Sequence, residues 1–98
     1  MSQIPKKVTV TVHKVNTAPN GVKCRHHYEG QTFTFPFERM PQDFCAAAFH
    51  SIWPHIRVLE LGGRHPWDGE EQVTYSACPD PNCPVVFRIS VEDPEEGN

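Results

Sequence analysis

A single helical pattern between two pairs of strand-like segments constrains the fold of this chain most. Within residues 43–53, three apolar side chains recur at four-residue steps: Phe44, Ala48 and Ile52. This spacing places them in one stripe along an amphipathic helix. Gly62, the first residue of a Gly-Gly pair, is a typical helix stop. The sequence therefore predicts one main helix with one apolar face.

The limits of this helix follow from the preferences of particular residue types. Asp43 is the predicted N-cap because a short acidic side chain can accept a hydrogen bond from the first turn. That assignment places Cys45 in the first helical turn. Pro54 lacks a backbone N–H, so we expect a kink or break there, with residues 55–61 continuing the helix.

The remaining regular segments have the composition and alternation of strands. Apolar and polar residues alternate in Val8–His13, and the other segments are rich in β-branched and aromatic residues. The four predicted strands cover residues 8–13, 32–35, 73–78 and 85–91. The last two are expected to form a hairpin. The chain is therefore predicted to be α+β, with a small antiparallel sheet of about four strands, in the order β-β-α-β-β, and the helix packed on one face.

Length and charge restrict the classes of function. A chain of 98 residues is predicted to form a single domain, residues 1–98. The net charge is −3, and four acidic residues lie in the segment 92–98, which we interpret as a solvated, frayed tail. The chain has no block of basic residues that would neutralise phosphates. Nucleic acid is therefore disfavoured as a partner.

The pattern of apolar residues also indicates the cellular compartment in which the protein is expected. The N-terminal residues lack an apolar run of signal-peptide length, and no apolar run is long enough to span a membrane. We therefore expect a cytoplasmic protein with no membrane association. In a reducing compartment, its four cysteines are expected to be thiols or metal ligands more often than structural disulfides.

The cysteines are the main candidates for chemistry, because loops at strand ends can converge on one edge of such a domain. The candidate metal ligands are Cys24, Cys45, Cys78, Cys83 and His26. Their spacing does not match a zinc knuckle, which needs two close cysteine pairs. Three interpretations stay open: a zinc or iron site, partly buried reduced thiols, and a disulfide joining Cys78 to Cys83.

Cys45 is also a candidate nucleophile. A thiol in the first turn of a helix lies near the positive end of the helix dipole, which favours the thiolate. A cysteine–histidine dyad would need His26, His27 or His65 to approach through folding, because His50 lies on a different helical face. The alternative is that Cys45 is a small apolar residue of the core.

Two residues of the loop after the helix are candidates for binding. Trp67 lies in a loop rich in Gly and Pro, where a large aromatic side chain could line a pocket or contact a protein partner. His65 is in the same loop. A small chain with a marginal core often gains stability from a partner, so a protein partner is expected under this hypothesis. The oligomeric state stays open.

Several segments together resemble a family of small uncharacterised prokaryotic proteins of about ninety to a hundred residues. The resemblance covers nearly the whole chain, and its most specific part is Cys78-Pro79-Asp80-Pro81 followed by Pro84-Val85-Val86-Phe87-Arg88-Ile89. The other matching segments are Gly21–Phe35, Phe44–Pro54 and Gly62–Trp67.

The family carries a Cys-Pro pair at three places, of which this chain keeps only Cys78-Pro79. Arg25 follows Cys24, and Ala46 follows Cys45. The resemblance implies that Cys24, Cys45 and Cys78 act as a set, and it does not support Cys83, which stands where the family has a polar turn residue. It implies no activity.

Three functions are therefore expected from the sequence. The first is a metal-binding protein, with zinc, iron or an iron–sulfur cluster held by the clustered cysteines. The second is a non-catalytic accessory or interaction module with reduced structural thiols. The third is a thiol enzyme with Cys45 as nucleophile. The first requires sulfurs that are far apart in sequence to meet at one point in the fold.

Overall fold

The computed structural model describes residues 7–16, 24–37, 39–63, 65–66, 72–80 and 83–92. The predicted α+β class and the chain order β-β-α-β-β are confirmed. The elements are strand β1 (Lys7–Val15), strand β2 (Thr32–Pro36), helix α1 (Ala46–Glu60), strand β3 (Val73–Ala77) and strand β4 (Val85–Glu92).

The four strands form one antiparallel sheet in the order β2-β1-β4-β3. The first and last strands along the chain are therefore the two central strands. The predicted hairpin of β3 and β4 is confirmed. Pro36, which cannot donate a ladder hydrogen bond, lies at the end of β2, where this edge strand tolerates it.

One face of the sheet is apolar and is covered by α1. Val8 and Val10 of β1 and Phe87 and Ile89 of β4 are fully buried there. A register shift between Val12 and Lys14 marks a bulge in β1. The opposite face is polar. A hydrogen bond of 3.1 Å between the hydroxyls of Thr9 and Thr34, for example, joins β1 to β2 on that face.

The N-cap of the helix lies two residues later than predicted. Cys45, with φ −60° and ψ 125°, is the N-cap, and its carbonyl accepts the first helical hydrogen bond from Phe49 N–H at 2.9 Å. Asp43 instead adopts a positive φ of 64°, a conformation that Asp tolerates better than most residues. The prediction that Asp43 caps the helix was therefore wrong, and Cys45 lies at the cap rather than in the first turn.

Pro54 lies inside α1 without ending it. Pro54 has no backbone N–H, so the carbonyl of His50, four residues earlier, lacks its usual helical donor. Both residues lie on the exposed side of the helix. Water can hydrate that carbonyl, so the helix tolerates the proline. The buried positions Ile52, Ile56 and Leu59 continue the apolar stripe past it.

The predicted acidic tail, residues 92–98, and the predicted lack of a membrane span can each be compared with the described residues. Glu92, which the sequence assigns to the acidic tail, is the last residue of β4, while residues 93–98 lie outside the described part of the chain. Within the described ranges, no helix combines the length and the apolar character that crossing a bilayer requires.

Candidate functional site

The four cysteines, which come from separate parts of the chain, meet at one cavity. Cys24 lies in the segment before β2, and Cys45 caps α1. Cys78 directly follows β3, and Cys83 precedes β4. All four line a cavity of about 300 Å³. Cysteines that are far apart in sequence therefore share one cavity in the fold.

Cys78 and Cys83 lie at the two ends of the connection between β3 and β4. One backbone and one side-chain hydrogen bond join the two ends of this connection: Cys78 N–H donates to the Val85 carbonyl at 3.0 Å, and Val85 N–H donates to Cys78 Sγ at 3.4 Å. The Cys78 thiol points to the Cys83 carbonyl at 3.7 Å. All four cysteines are free thiols, so the structure has no disulfide between Cys78 and Cys83.

Cys83 is the most deeply buried of the four, with 3% of its surface exposed. Burial raises the pKa of its thiol, because a thiolate there would lose its hydration. The backbone N–H of Cys24 acts in the opposite direction, while Cys24, Asp80 and Cys78 raise the pKa further. Cys83 is therefore a protonated thiol near neutral pH unless a cation replaces its proton.

Cys24 and His26 lie at the accessible side of the cavity. The backbone N–H of His26 donates to Cys24 Sγ at 3.3 Å, which shapes this part of the chain around the sulfur. The Cys24 side chain is half-buried and His26 is exposed. His26, the predicted histidine ligand, therefore lines the cavity from its solvent side.

The sequence identified His27 only as a possible dyad partner of Cys45, and its burial was missed: 4% of its surface is exposed. Its ring packs against Phe33, Phe44 and Phe87, with centroids 5.8, 4.8 and 5.5 Å away. The adjacent His26 is exposed, so the two neighbouring histidines lie in opposite environments.

The hydrogen bonds of His27 fix its role. Cys45 N–H donates to Nε2 at 3.3 Å, so Nε2 carries a lone pair. Nδ1 then carries the hydrogen and donates to Gln31 Oε1 at 2.9 Å. The imidazole therefore positions the start of α1 and the Cys45 backbone. Because its lone pair is occupied, His27 is not arranged as a base for the Cys45 thiol, and the hypothesis of a cysteine nucleophile gains no dyad from it.

Of the two predicted binding residues in the loop after α1, only His65 is among the described residues. His65 is 9% exposed, and its Nε2 lies 2.9 Å from His55 Nδ1 on α1. It does not line the cysteine cavity. Trp67 lies outside the described residues. The loop therefore contributes no described residue to the cavity.

The cavity holds no ready-made site for a single ion. Among the residues that the structure describes, no three His, Cys, Asp or Glu side chains are grouped to hold one metal ion. The sulfurs line a space instead of converging on a point. Apolar groups, among them Ala48 and Val85, form the rest of its wall.

Comparison of the chain with protein-family models, with curated proteins and with solved structures finds no match. The resemblance described from the sequence therefore stays a prediction.

Proposed function

We propose that this protein binds a metal cofactor through its cysteine thiolates, and that the cofactor is an iron–sulfur cluster rather than a single zinc ion. The observation that carries the proposal is that all four cysteines of the chain line one cavity. Thiolates are the ligands of choice for zinc and for iron–sulfur clusters, and four free thiols are available.

The size of the cavity favours the cluster. A structural zinc ion lies about 2.3 Å from each sulfur, so four zinc ligands are in mutual contact and enclose no free space. The cavity of about 300 Å³ that the four cysteines help to line leaves more room than that arrangement fills. In a cluster each thiolate binds a different iron or shares one with another thiolate, so the sulfurs stand further apart and the inorganic core fills the space between them.

The surroundings of the thiols suit cofactor binding coupled to proton release. The pKa of Cys83 is raised, so its thiol binds a metal only by giving up a proton. The backbone N–H groups of His26 and Val85, which donate to Cys24 Sγ and Cys78 Sγ, would still stabilise those sulfurs as thiolates. We place such a protein in a reducing compartment such as the cytoplasm, where free thiols persist.

The decisive experiment is metal analysis of protein purified without oxygen, together with an absorption spectrum. We expect iron and acid-labile sulfide in stoichiometric amounts and visible absorption. Zinc at one ion per chain without visible absorption would replace the cluster with a mononuclear site. Protein without metal, which also fails to take up iron and sulfide during reconstitution, would leave reduced structural thiols and contradict the proposal.

Single Cys→Ala variants identify the ligands. Cys24→Ala, Cys45→Ala and Cys78→Ala should each lose most of the iron, and Cys83→Ala tests whether the buried thiol is the fourth ligand. His26→Ala tests the histidine at the accessible side. His13→Ala, at an exposed histidine of β1 away from the cavity, is the matched control and should retain the wild-type iron content.

A further inference from the structure

A second cavity lies beside α1 and contains none of the four cysteines. Its volume is about 670 Å³, which is within the range of pockets that hold small organic ligands. Ala46 lines it, whereas the next two residues of the helix, Ala47 and Ala48, line the cysteine cavity. The two cavities therefore lie on different sides of the first turn of α1. We call the second one the α1 groove.

The walls of the α1 groove are largely aromatic and apolar. Phe49 and Trp53, four residues apart on the helix, are stacked with centroids 5.7 Å apart and an interplanar angle of 28°. Met40 on the facing segment is 59% exposed, although its side chain is apolar and flexible. A flat apolar molecule would cover these side chains and remove them from water.

Charge at the α1 groove points to one kind of polar group. Two guanidinium groups, from Arg39 and Arg57, one carboxylate, from Glu60, and the exposed imidazole of His50 line it. Arg57 is paired with Glu60 one helical turn away. Within the described part of the chain, the Arg39 side chain has no ion pair or hydrogen bond, so its donors are available.

We propose that the α1 groove binds a small aromatic carboxylate. The ring would lie against Phe49 and Trp53, and the carboxylate would pair with Arg39. A guanidinium presents two parallel N–H donors that match the two oxygens of a carboxylate. A single available guanidinium beside apolar walls fits a monoanion with a flat body better than a polyphosphate, which needs several cations, or a cationic ligand, which Arg39 would repel.

The test is a calorimetric titration of the full chain with three matched probes: 1-naphthoate, its neutral amide and 1-naphthylmethylammonium. We expect the carboxylate to bind at least about tenfold more tightly than the amide, because a charge-assisted pair is worth more than a neutral contact. The ammonium probe should bind more weakly than the amide. Equal affinities for all three, or no binding by any of them, would overturn the proposal.

Variants locate the contact. Arg39→Gln should reduce the affinity for 1-naphthoate to that for the amide while leaving the amide affinity unchanged. Arg25→Gln, at an exposed arginine outside the α1 groove, is the matched control and should change neither. In a Trp67→Phe background, Trp53 is the only tryptophan, so 1-naphthoate should alter its emission. An Arg39→Gln variant that keeps full preference for the carboxylate, or an unaltered Trp53 emission, would contradict the assignment.

The binding of 1-naphthoate is expected to be independent of metal binding. Cys45→Ala, which should lose the metal, should retain the preference for 1-naphthoate, since Cys45 does not line the α1 groove. If instead a second copy of the chain occupies the α1 groove, sedimentation will show a dimer that 1-naphthoate does not dissociate, and the small-ligand proposal fails.

Discussion

The two ends of helix α1 satisfy their backbone hydrogen bonds in different ways. At the C-terminal end, Gly62 has a φ of 83° and its N–H donates to the Leu59 carbonyl at 3.0 Å, while Gly63 N–H donates to the Val58 carbonyl at 2.9 Å. This pair of bonds is a Schellman motif, and every residue in it lies within six positions along the chain.

At the N-terminal end, the cap depends on a distant part of the chain. The Cys45 side chain makes no capping hydrogen bond, and the Cys45 N–H is satisfied by His27, eighteen positions earlier. The same imidazole is held by Gln31 and by three phenylalanine rings. The end of the helix that borders the cysteine cavity is therefore built by tertiary structure, whereas the opposite end is built by local sequence.

The largest expected effect follows from removing the distant cap. His27→Ala deletes a buried aromatic ring and leaves Cys45 N–H without its acceptor. We expect the free energy of unfolding to fall by about 3 kcal/mol, which denaturant titration would measure. If Cys45 and α1 help to hold the cofactor, metal retention should fall in the same variant.

The neighbouring histidine provides the control. In metal-free reduced protein, His26→Ala removes an exposed side chain and should change the free energy of unfolding by no more than about 0.5 kcal/mol. Equal effects of the two substitutions would show that His27 does not hold the start of α1 and would remove the contrast between the two helix ends.

This contrast also explains what the sequence could predict. The strands, their order along the chain, the β3–β4 hairpin and the Gly62 stop follow from local patterns, and the structure confirms them. Asp43 was a wrong prediction because capping preference is only a tendency, and here the chain turns at Asp43 with a positive φ before the helix begins.

The site could be predicted only in part. That the cysteines meet was a hypothesis, because sequence spacing gives no distance between Cys24 and Cys83. The strand order β2-β1-β4-β3 determines whether they meet, because it pairs the first strand with the last. Asn16, which follows β1, donates its N–H to the carbonyl of Pro84, which precedes β4, at 3.0 Å. The role of His27 depends on the same long-range pairing.

The second prediction tests the cysteine cavity under the N-terminal end of α1. The pKa of Cys83 is higher in the folded chain than its ordinary value of 9.0, so above that pH the unfolded chain loses a proton that the folded chain retains. The stability contributed by the protonated thiol is full below pH 9.0 and is lost as the pH rises toward the folded-state pKa.

In metal-free reduced protein, the free energy of unfolding should therefore fall above pH 9.0 more steeply for the wild type than for Cys83→Ala. The difference in slope is at most about 1.4 kcal/mol per pH unit for one proton. Denaturant titrations between pH 7 and pH 10.5 would measure it. Because all other titrating groups are common to the two proteins, parallel curves would mean that Cys83 is not desolvated by the fold.

The smallest effect is expected at the locally built end. A Cβ at Gly62 would meet no atom within 4 Å, so the cost of Gly62→Ala comes from the positive φ alone and should be about 1 kcal/mol. Gly62→Asn should cost less, because Asn tolerates this conformation. Leu61→Ala, at a side chain that is 73% exposed, controls for a change at the same turn. Thermal unfolding of the three variants checks the order.

Because this end borders neither His27 nor the cysteines, Gly62→Ala should leave the metal content unchanged, whereas a loss of metal would show that the two ends of α1 are not independent.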